Sequence, residues 1–127
     1  MEPSLGPRAR SRRARLSRSA DFDRVFRQGR AHAGRELVLH VFPRDAEGGP
    51  PRLGLSVSRK VGGAVQRNRV KRLLREAFAA ESSRLPPGTD AVVVARHDAW
   101  ALAEREGLPG VRRRLAELIN RVEERAA

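Results

Sequence analysis

The segment Gln66-Arg67-Asn68-Arg69-Val70-Lys71-Arg72-Leu73-Leu74-Arg75-Glu76-Ala77-Phe78 gathers the residues of this chain best suited to chemistry, and that chemistry is the holding of phosphate. Guanidinium groups present forked donors that match phosphate oxygens two at a time. Apolar side chains recur at Val70, Leu73, Leu74, Ala77 and Phe78, the i, i+3, i+4, i+7, i+8 spacing of a helix with one core-facing stripe. At about 100° per residue, Lys71, Arg72 and Arg75 fall on the opposite side, and Arg67 and Arg69 flank the start. Such a helix can be pinned to a sheet while offering cations to a polyanion. A merely solvated basic face is the other reading of the same pattern.

Independent catalysis finds little support. His32, His40 and His97 are scattered, and no His-Glu-x-x-His motif is present to hold zinc. Gly54-Leu55-Ser56-Val57-Ser58 departs from the nucleophile-elbow pattern at its last position and lies within a strand-like alternation. The acids are dispersed, mostly beside arginines on predicted helices, and do not converge as a two-metal nuclease requires. No lysine follows a glycine loop in the manner of a phosphate-binding loop.

The balance of charge agrees with a binding role. Of 127 residues, 27 are Lys or Arg and 15 are Asp or Glu, a net charge of +12, and the isoelectric point is near 11.8. That excess points to a polyanionic partner, nucleic acid first and an acidic membrane surface second. No apolar run approaches the roughly 18 residues of a membrane-spanning helix, and no basic-then-apolar leader opens the chain. There are no cysteines, so disulfides and thiolate zinc sites are excluded and a reducing, cytoplasmic setting is expected. Lys60 and Lys71 are the only lysines. With 4% aromatic residues and no tyrosine, binding by many stacked bases is not expected.

The length suits one domain, placed at residues 19–127. Residues 1–18 carry Arg8, Arg10, Arg12, Arg13, Arg15 and Arg18 among small residues and prolines, and read as a flexible tail in which Leu16 is the first anchored residue. Ser19 reads as the N-cap of a short helix over about 20–28, with Asp21 and Asp23 in its first turn, Phe22, Val25 and Phe26 on one face, and Gly29 as its stop. Residues 30–35 form a short strand or a linker. Glu36–Pro43 alternates as a strand, with Leu37, Leu39 and Val41 on one face and Val38, His40 and Phe42 on the other. After a Gly- and Pro-rich loop, Arg52–Ser58 reads as the returning strand of a hairpin. Leu53, Leu55 and Val57 line one of its faces. Gly54, Ser56 and Ser58 line the other, a shallow polar floor suggestive of a cleft that Phe22 and Phe26 could rim. The basic helix runs from about 64 to 82. Asp90–Arg96, with its valine run, reads as a central strand. Asp98 caps a turn through Trp100, Gly107–Gly110 interrupts, and Val111, Leu115, Leu118, Ile119 and Val122 mark a last helix. The order αβββαβα, two or three strands before the basic helix, predicts an α+β sandwich of helices on a small mixed sheet.

The run Leu53 to Phe78, centred on Arg67-Asn68-Arg69 with Val70-Lys71-Arg72 and Arg75-Glu76-Ala77-Phe78, resembles the signature of the bacterial ribonuclease P protein subunit. Ser19-Ala20-Asp21-Phe22 with Val25, Phe26 and Gly29 resembles that family's opening helix, and Asp90 to Arg96 its last strand. The resemblance spans about residues 16–122, and the arginine-rich tail is longer than the family's usual lead-in. It implies a two-layer α/β sandwich with a left-handed βαβ crossover around the basic helix, against the usual hand. It also implies a protein cofactor whose RNA subunit carries the active site, the two together cutting the 5′ leader from precursor tRNA and leaving a 5′-phosphate. By match, Arg67, Asn68, Arg69, Lys71, Arg72 and Arg75 face the catalytic RNA, while Phe22, Phe26, Val38, His40, Ser56, Lys60 and Arg96 hold the single-stranded leader. A tyrosine or similar ring is common in the family where this chain has His40. Magnesium is implied on the RNA subunit and substrate, with no metal on the protein itself. The implied partners are the catalytic RNA and precursor tRNA, with neither membrane nor DNA. A general basic RNA-binding or ribosome-associated protein, and a module placing residues 67–75 in a DNA major groove, are the alternative readings of the charge pattern.

Overall fold

Three alternating apolar segments and one continuous valine run assemble a four-stranded mixed sheet with helices packed on it. The computed structural model describes residues 15–16, 18–44 and 48–126; the tail arginines Arg8, Arg10, Arg12 and Arg13 lie outside the described residues. In chain order come α1 (Ser19–Gln28), β1 (Arg30–Ala33), β2 (Leu37–Pro43), β3 (Arg52–Val57), α2 (Ala64–Glu81), β4 (Thr89–Ala95) and α3 (Ala99–Ala126). A single 3-10 turn, Ser82–Arg84, follows α2. This is the expected αβββαβα order.

The expected hairpin between β2 and β3 is not formed. The sheet order is β1-β2-β4-β3, with β4 antiparallel to β2 and parallel to β3. The physical reason lies in β4. Thr89 to Val93 and Ala95 are all buried, and a strand apolar on both faces is satisfied only at the centre of a sheet. It therefore separates its two predecessors, and α2 becomes the crossover of a parallel βαβ unit.

The main core lies on one face. Leu37, Leu39, Val41, Leu53, Val57, Ala91, Val93 and Ala95 meet Val70, Leu73, Leu74, Ala77 and Phe78 of α2 and the apolar stripe of α3. The predicted stripe of α2 is therefore the buried one. A smaller cluster of Leu16, Val25 and Val92, with Phe22, Phe42 and Val94 against it, seats α1 across part of the opposite face.

Local details depart from expectation at four points. Ser19 is the first helical residue of α1 rather than its cap, a position taken by Arg18 without a side-chain hydrogen bond. Gly29 ends α1 with φ −80°, not in the left-handed region. Its small size is what matters, because a Cβ there would lie 2.5 Å from the Val41 carbonyl oxygen. Helix already begins at Ala99, so Trp100 lies in α3 rather than in a turn. Gly107 alone breaks that helix, at φ 62°, and Pro109 follows where helix resumes and a missing N–H costs nothing. Anchoring of the chain begins ahead of residue 19: Arg15 bridges to Leu53 in parallel, the Leu16 amide donates to the Leu53 carbonyl at 2.8 Å, and Leu16 is buried.

Asp90 is fully buried at the start of the central strand. Arg44 donates to its Oδ1 at 2.8 Å, and Arg52 donates through Nε to Oδ1 and through Nη2 to Oδ2, both at 2.8 Å. Arg52 also reaches Asp21 of α1 at 3.9 Å, and Asp21 pairs with Arg24 at 3.5 Å. These bonds to Asp90, with burial opposing them, push the Arg52 guanidinium above its ordinary range. Removing one partner of a buried ion pair strands the others. Asp90→Ala is expected to cost about 3 kcal/mol or more, measured by urea unfolding; an unchanged midpoint would contradict this account.

Candidate nucleic-acid interface

The cations of the described residues fall into two populations. Around the end of α2 and along α3 as far as Arg114 they are neutralised: Arg84 pairs with Glu81 and Glu123, Arg105 and Arg113 with Glu106, Arg112 with Glu81, and Arg114 with Glu36 and Glu117. Between β3 and the middle of α2 they are not. Among the described residues, no carboxylate lies within salt-bridge distance of Arg59, Lys60, Arg67, Arg69, Lys71, Arg72 or Arg75. A folded domain with acids to spare would disperse such charge; here it is left available for an external anion.

The local sequence explains how these groups are presented. Gly62 and Gly63 turn the chain out of β3, and the Gln66 side-chain oxygen accepts the Gly63 amide at 2.5 Å, satisfying the opening of α2. A Cβ on Gly62 would lie 2.8 Å from that oxygen. Burial of Val70, Leu73 and Leu74 then fixes the rotation of the helix. Asn68, Arg69, Lys71, Arg72 and Arg75, with the exposed Val65, line one open depression. Arg67 stands apart from it, half-buried, its Nε enclosed without a hydrogen-bond partner. Arg15, on the strand edge, faces Arg75; partial burial and then this like charge push Arg75 below its ordinary range. Val65 and Arg15 therefore join Asn68, Arg69, Lys71, Arg72 and Arg75 of the predicted residues, with Arg67 set off from them. The arginine content of the tail was the signal for Arg15, but its bridge to Leu53 was not readable from sequence.

On the opposite face of the sheet the strand registers align a second surface. His40 and Gly54 flank Val92, one residue pair further along Val38 and Ser56 flank Val94, and all point toward α1. The polar floor inferred from Gly54 is not open. Phe22 lies over it, so close that a Cβ on Gly54 would meet its ring at 2.7 Å. Phe26, 42% exposed, sets its ring edge-to-face with His40 at 4.8 Å, and Phe22 lies 6.4 Å from Phe26. Burial pushes the His40 imidazole below its ordinary value, so it is a neutral ring near pH 7. The half-buried row Val38–Val94–Ser56 lies next to these rings. Lys60 and Arg96 sit just past the C-terminal ends of the parallel strands β3 and β4, both exposed, with Arg96 donating to the Gly34 carbonyl at 3.2 Å. The structure thus gathers Phe22, Phe26, Val38, His40 and Ser56 on one surface and sets Lys60 and Arg96 at its end. Aromatic rings, the half-buried row of Val38, Val94 and Ser56, and terminal cations suit an extended anionic chain contacted through its backbone. Asp21, Arg52 and Asp90, which tie α1 to this surface, were missed as a unit; a charged residue heading an apolar strand was the available signal.

Known proteins share both sequence and fold. The family model for Ribonuclease P matches residues 11–123. The ribonuclease P protein component of Shouchella clausii is 45% identical over 92 residues, which is 72% of this chain and 75% of that protein. That of Bacillus pumilus is 40% identical over 95 residues, 75% of this chain and 79% of that protein. The solved RNase P protein of Staphylococcus aureus superposes with a TM-score of 0.73 at 32% identity, covering 86% of this chain and 94% of that one. The RNase P protein of Thermotoga maritima does so at 0.73 and 33% identity, covering 84% and 96%. With its matched span, its identity to these relatives and its fold in agreement, the chain belongs to the ribonuclease P protein family.

Proposed function

We propose that this protein is the cofactor of a catalytic RNA, with which it removes the 5′ leader of precursor tRNA as an endonuclease that leaves a 5′-phosphate. The observation that carries this reading is the segregation of unpaired cations on α2, from Arg67 to Arg75, on the other side of the sheet from a surface faced with Phe26 and His40. One face suits a structured RNA and the other a single strand. In this reading Arg67, Asn68, Arg69, Lys71, Arg72 and Arg75 dock the catalytic RNA. Phe22, Phe26, Val38, His40, Ser56, Lys60 and Arg96 bind the leader.

The division of labour follows from the chemistry present. Among the described residues no three His, Asp or Glu side chains come together to hold a metal ion. In this proposal Mg2+ rests mainly on the RNA subunit and substrate, where it supplies the charge stabilisation and nucleophile activation of phosphodiester cleavage. The protein's part is to lower the repulsion between two polyanions and so favour substrate and metal binding. A leader of variable sequence calls for ring contacts and phosphate contacts, not a base-edge code. The absence of cysteine agrees with work in the cytoplasm.

The purified protein alone is expected to leave precursor tRNA intact, and with its cognate RNA at low magnesium to raise leader removal strongly. Cleavage by RNA-free protein would overturn the cofactor reading. Arg67→Ala with Arg69→Ala should weaken assembly and lower the log–log salt slope by roughly 0.7–0.9 for each phosphate no longer neutralised. Unchanged affinity across salt would remove this face from the interface. Because Phe26 is 42% exposed, Phe26→Ala should spare folding yet weaken leader-bearing substrate more than mature tRNA; equal losses for both would contradict its role. A pH effect follows from the two buried imidazoles. His32 and His40 are each held below their ordinary value of 6.5, first by burial. Below about pH 6.5 the unfolded chain then binds more protons than the folded one, so stability is full above that pH and falls as the pH drops toward the folded values. The urea midpoint should decline between about pH 7 and 5.5, less steeply in His40→Phe, which keeps a ring against Phe26. A flat profile would show that these groups are not buried as described.

A further inference from the structure

A second group of cations without acidic partners surrounds a cavity between β1, β2, the segment leading into β4 and the end of α3. Arg30, His32 and Arg125 line it together with Val41, Pro43, Pro86, Pro87, Thr89 and Val122, enclosing about 320 Å³. The pairings Arg30–Val41 and His32–Leu39 put these side chains on the α3 face of the sheet, at the β1 edge, on the opposite side from Phe26 and His40. No acidic residue lines the cavity. Among the described residues no carboxylate pairs with Arg30, Arg121 or Arg125. His32 is 6% exposed and has no hydrogen-bond partner among the described residues. Burial, then the charges of Arg125, Arg121, Arg30 and His40, hold its imidazole below the ordinary value.

Three exposed arginines around one buried imidazole, with no acid among them, give the cavity a positive potential that favours an anion. Its other walls ask for something apolar. Pro43, Pro86, Pro87, Val41 and Val122 offer flat aliphatic surfaces and few polar atoms. The volume is at the small end of ligand pockets, which combine apolar walls with a few placed polar groups. A bare phosphate would leave the proline wall empty, and an apolar molecule would leave the arginines unpaired. We infer that this cavity binds a nucleotide, its phosphate between Arg30 and Arg125 with His32 donating to it, and its base against the proline wall. Arg121 donates to the Ala33 carbonyl and fixes the end of β1 beside the site.

The test uses the full chain and four probes: adenosine monophosphate, adenosine, inorganic phosphate and an adenosine trinucleotide without terminal phosphate. NMR shifts of the His32 imidazole report occupancy, with the exposed His97 as internal reference. Adenosine monophosphate should move His32 and raise its pKa, and adenosine and phosphate should each bind at least about tenfold more weakly. Arg125→Gln and Arg30→Gln should each reduce the affinity about tenfold, the loss expected for a charge-assisted contact. Binding of the trinucleotide as tightly as the monophosphate identifies the ligand as a nucleotide within an RNA chain. Its failure identifies a free or terminal monophosphate, and either outcome supports the site. Phosphate binding as tightly as the monophosphate overturns the nucleotide assignment, as does a His32 that no probe moves.

Discussion

The carboxylate of Asp90 ties together the loop before β3, the head of the central strand and the first turn of α1. Buried without exposure, it is tolerable as an anion only because Arg44 and Arg52 surround it. Arg44 also donates to the carbonyls of Thr89 and Pro50, so the same cage closes the loop between β2 and β3 over the head of β4. Arg52 extends toward Asp21 and thereby links the sheet to the first turn of α1. One desolvated charge thus sets the loop, the strand edge and the helix that seats Phe22 and Phe26. Its partners are held 46 and 38 residues away in sequence, so the constraint is wholly tertiary.

The two candidate faces share a support but not a chemistry. On the α2 side, Val70, Leu73 and Leu74 are anchored in the main core, and the cations need only stand clear of acids. On the α1 side the core is small, and close fit replaces area: Phe22 sits on a glycine, and Gly29 passes the Val41 carbonyl where no side chain would fit. The first arrangement depends on the anchoring of an apolar stripe. The second does not tolerate a methyl group at Gly54.

What sequence could say followed from how local each feature was. The stripe of α2, the extent of α1 and the buried character of residues 90–95 are written in short-range periodicity, and the structure reproduces them. The candidate site residues were named through resemblance, while their grouping on a common surface depended on register. Strand partners were not legible, because alternation marks a strand without saying which neighbour it takes; β2 and β3 read as a hairpin and are parted by β4. Gly54 read as open floor because the ring that fills the space comes from an element more than thirty residues away in the chain. Gly107–Gly110 read as an interruption ahead of the last helix, although a single left-handed residue lets helix run on either side.

The central placing of β4 has a consequence for how the molecule comes into being. β2 pairs locally with β1, but β3 joins the sheet only through residues 89–95, so sheet closure waits for the whole of α2 to be threaded past. Pairings of such long sequence separation pay their loop-closure entropy before any contact repays it, which makes them slow and late. The N-terminal residues Arg15 and Leu16 then dock on β3 later still, since the edge they use exists only once β3 is held. During synthesis, therefore, both candidate faces are incomplete until residues 89–95 have emerged, and they are completed together by the insertion of one strand.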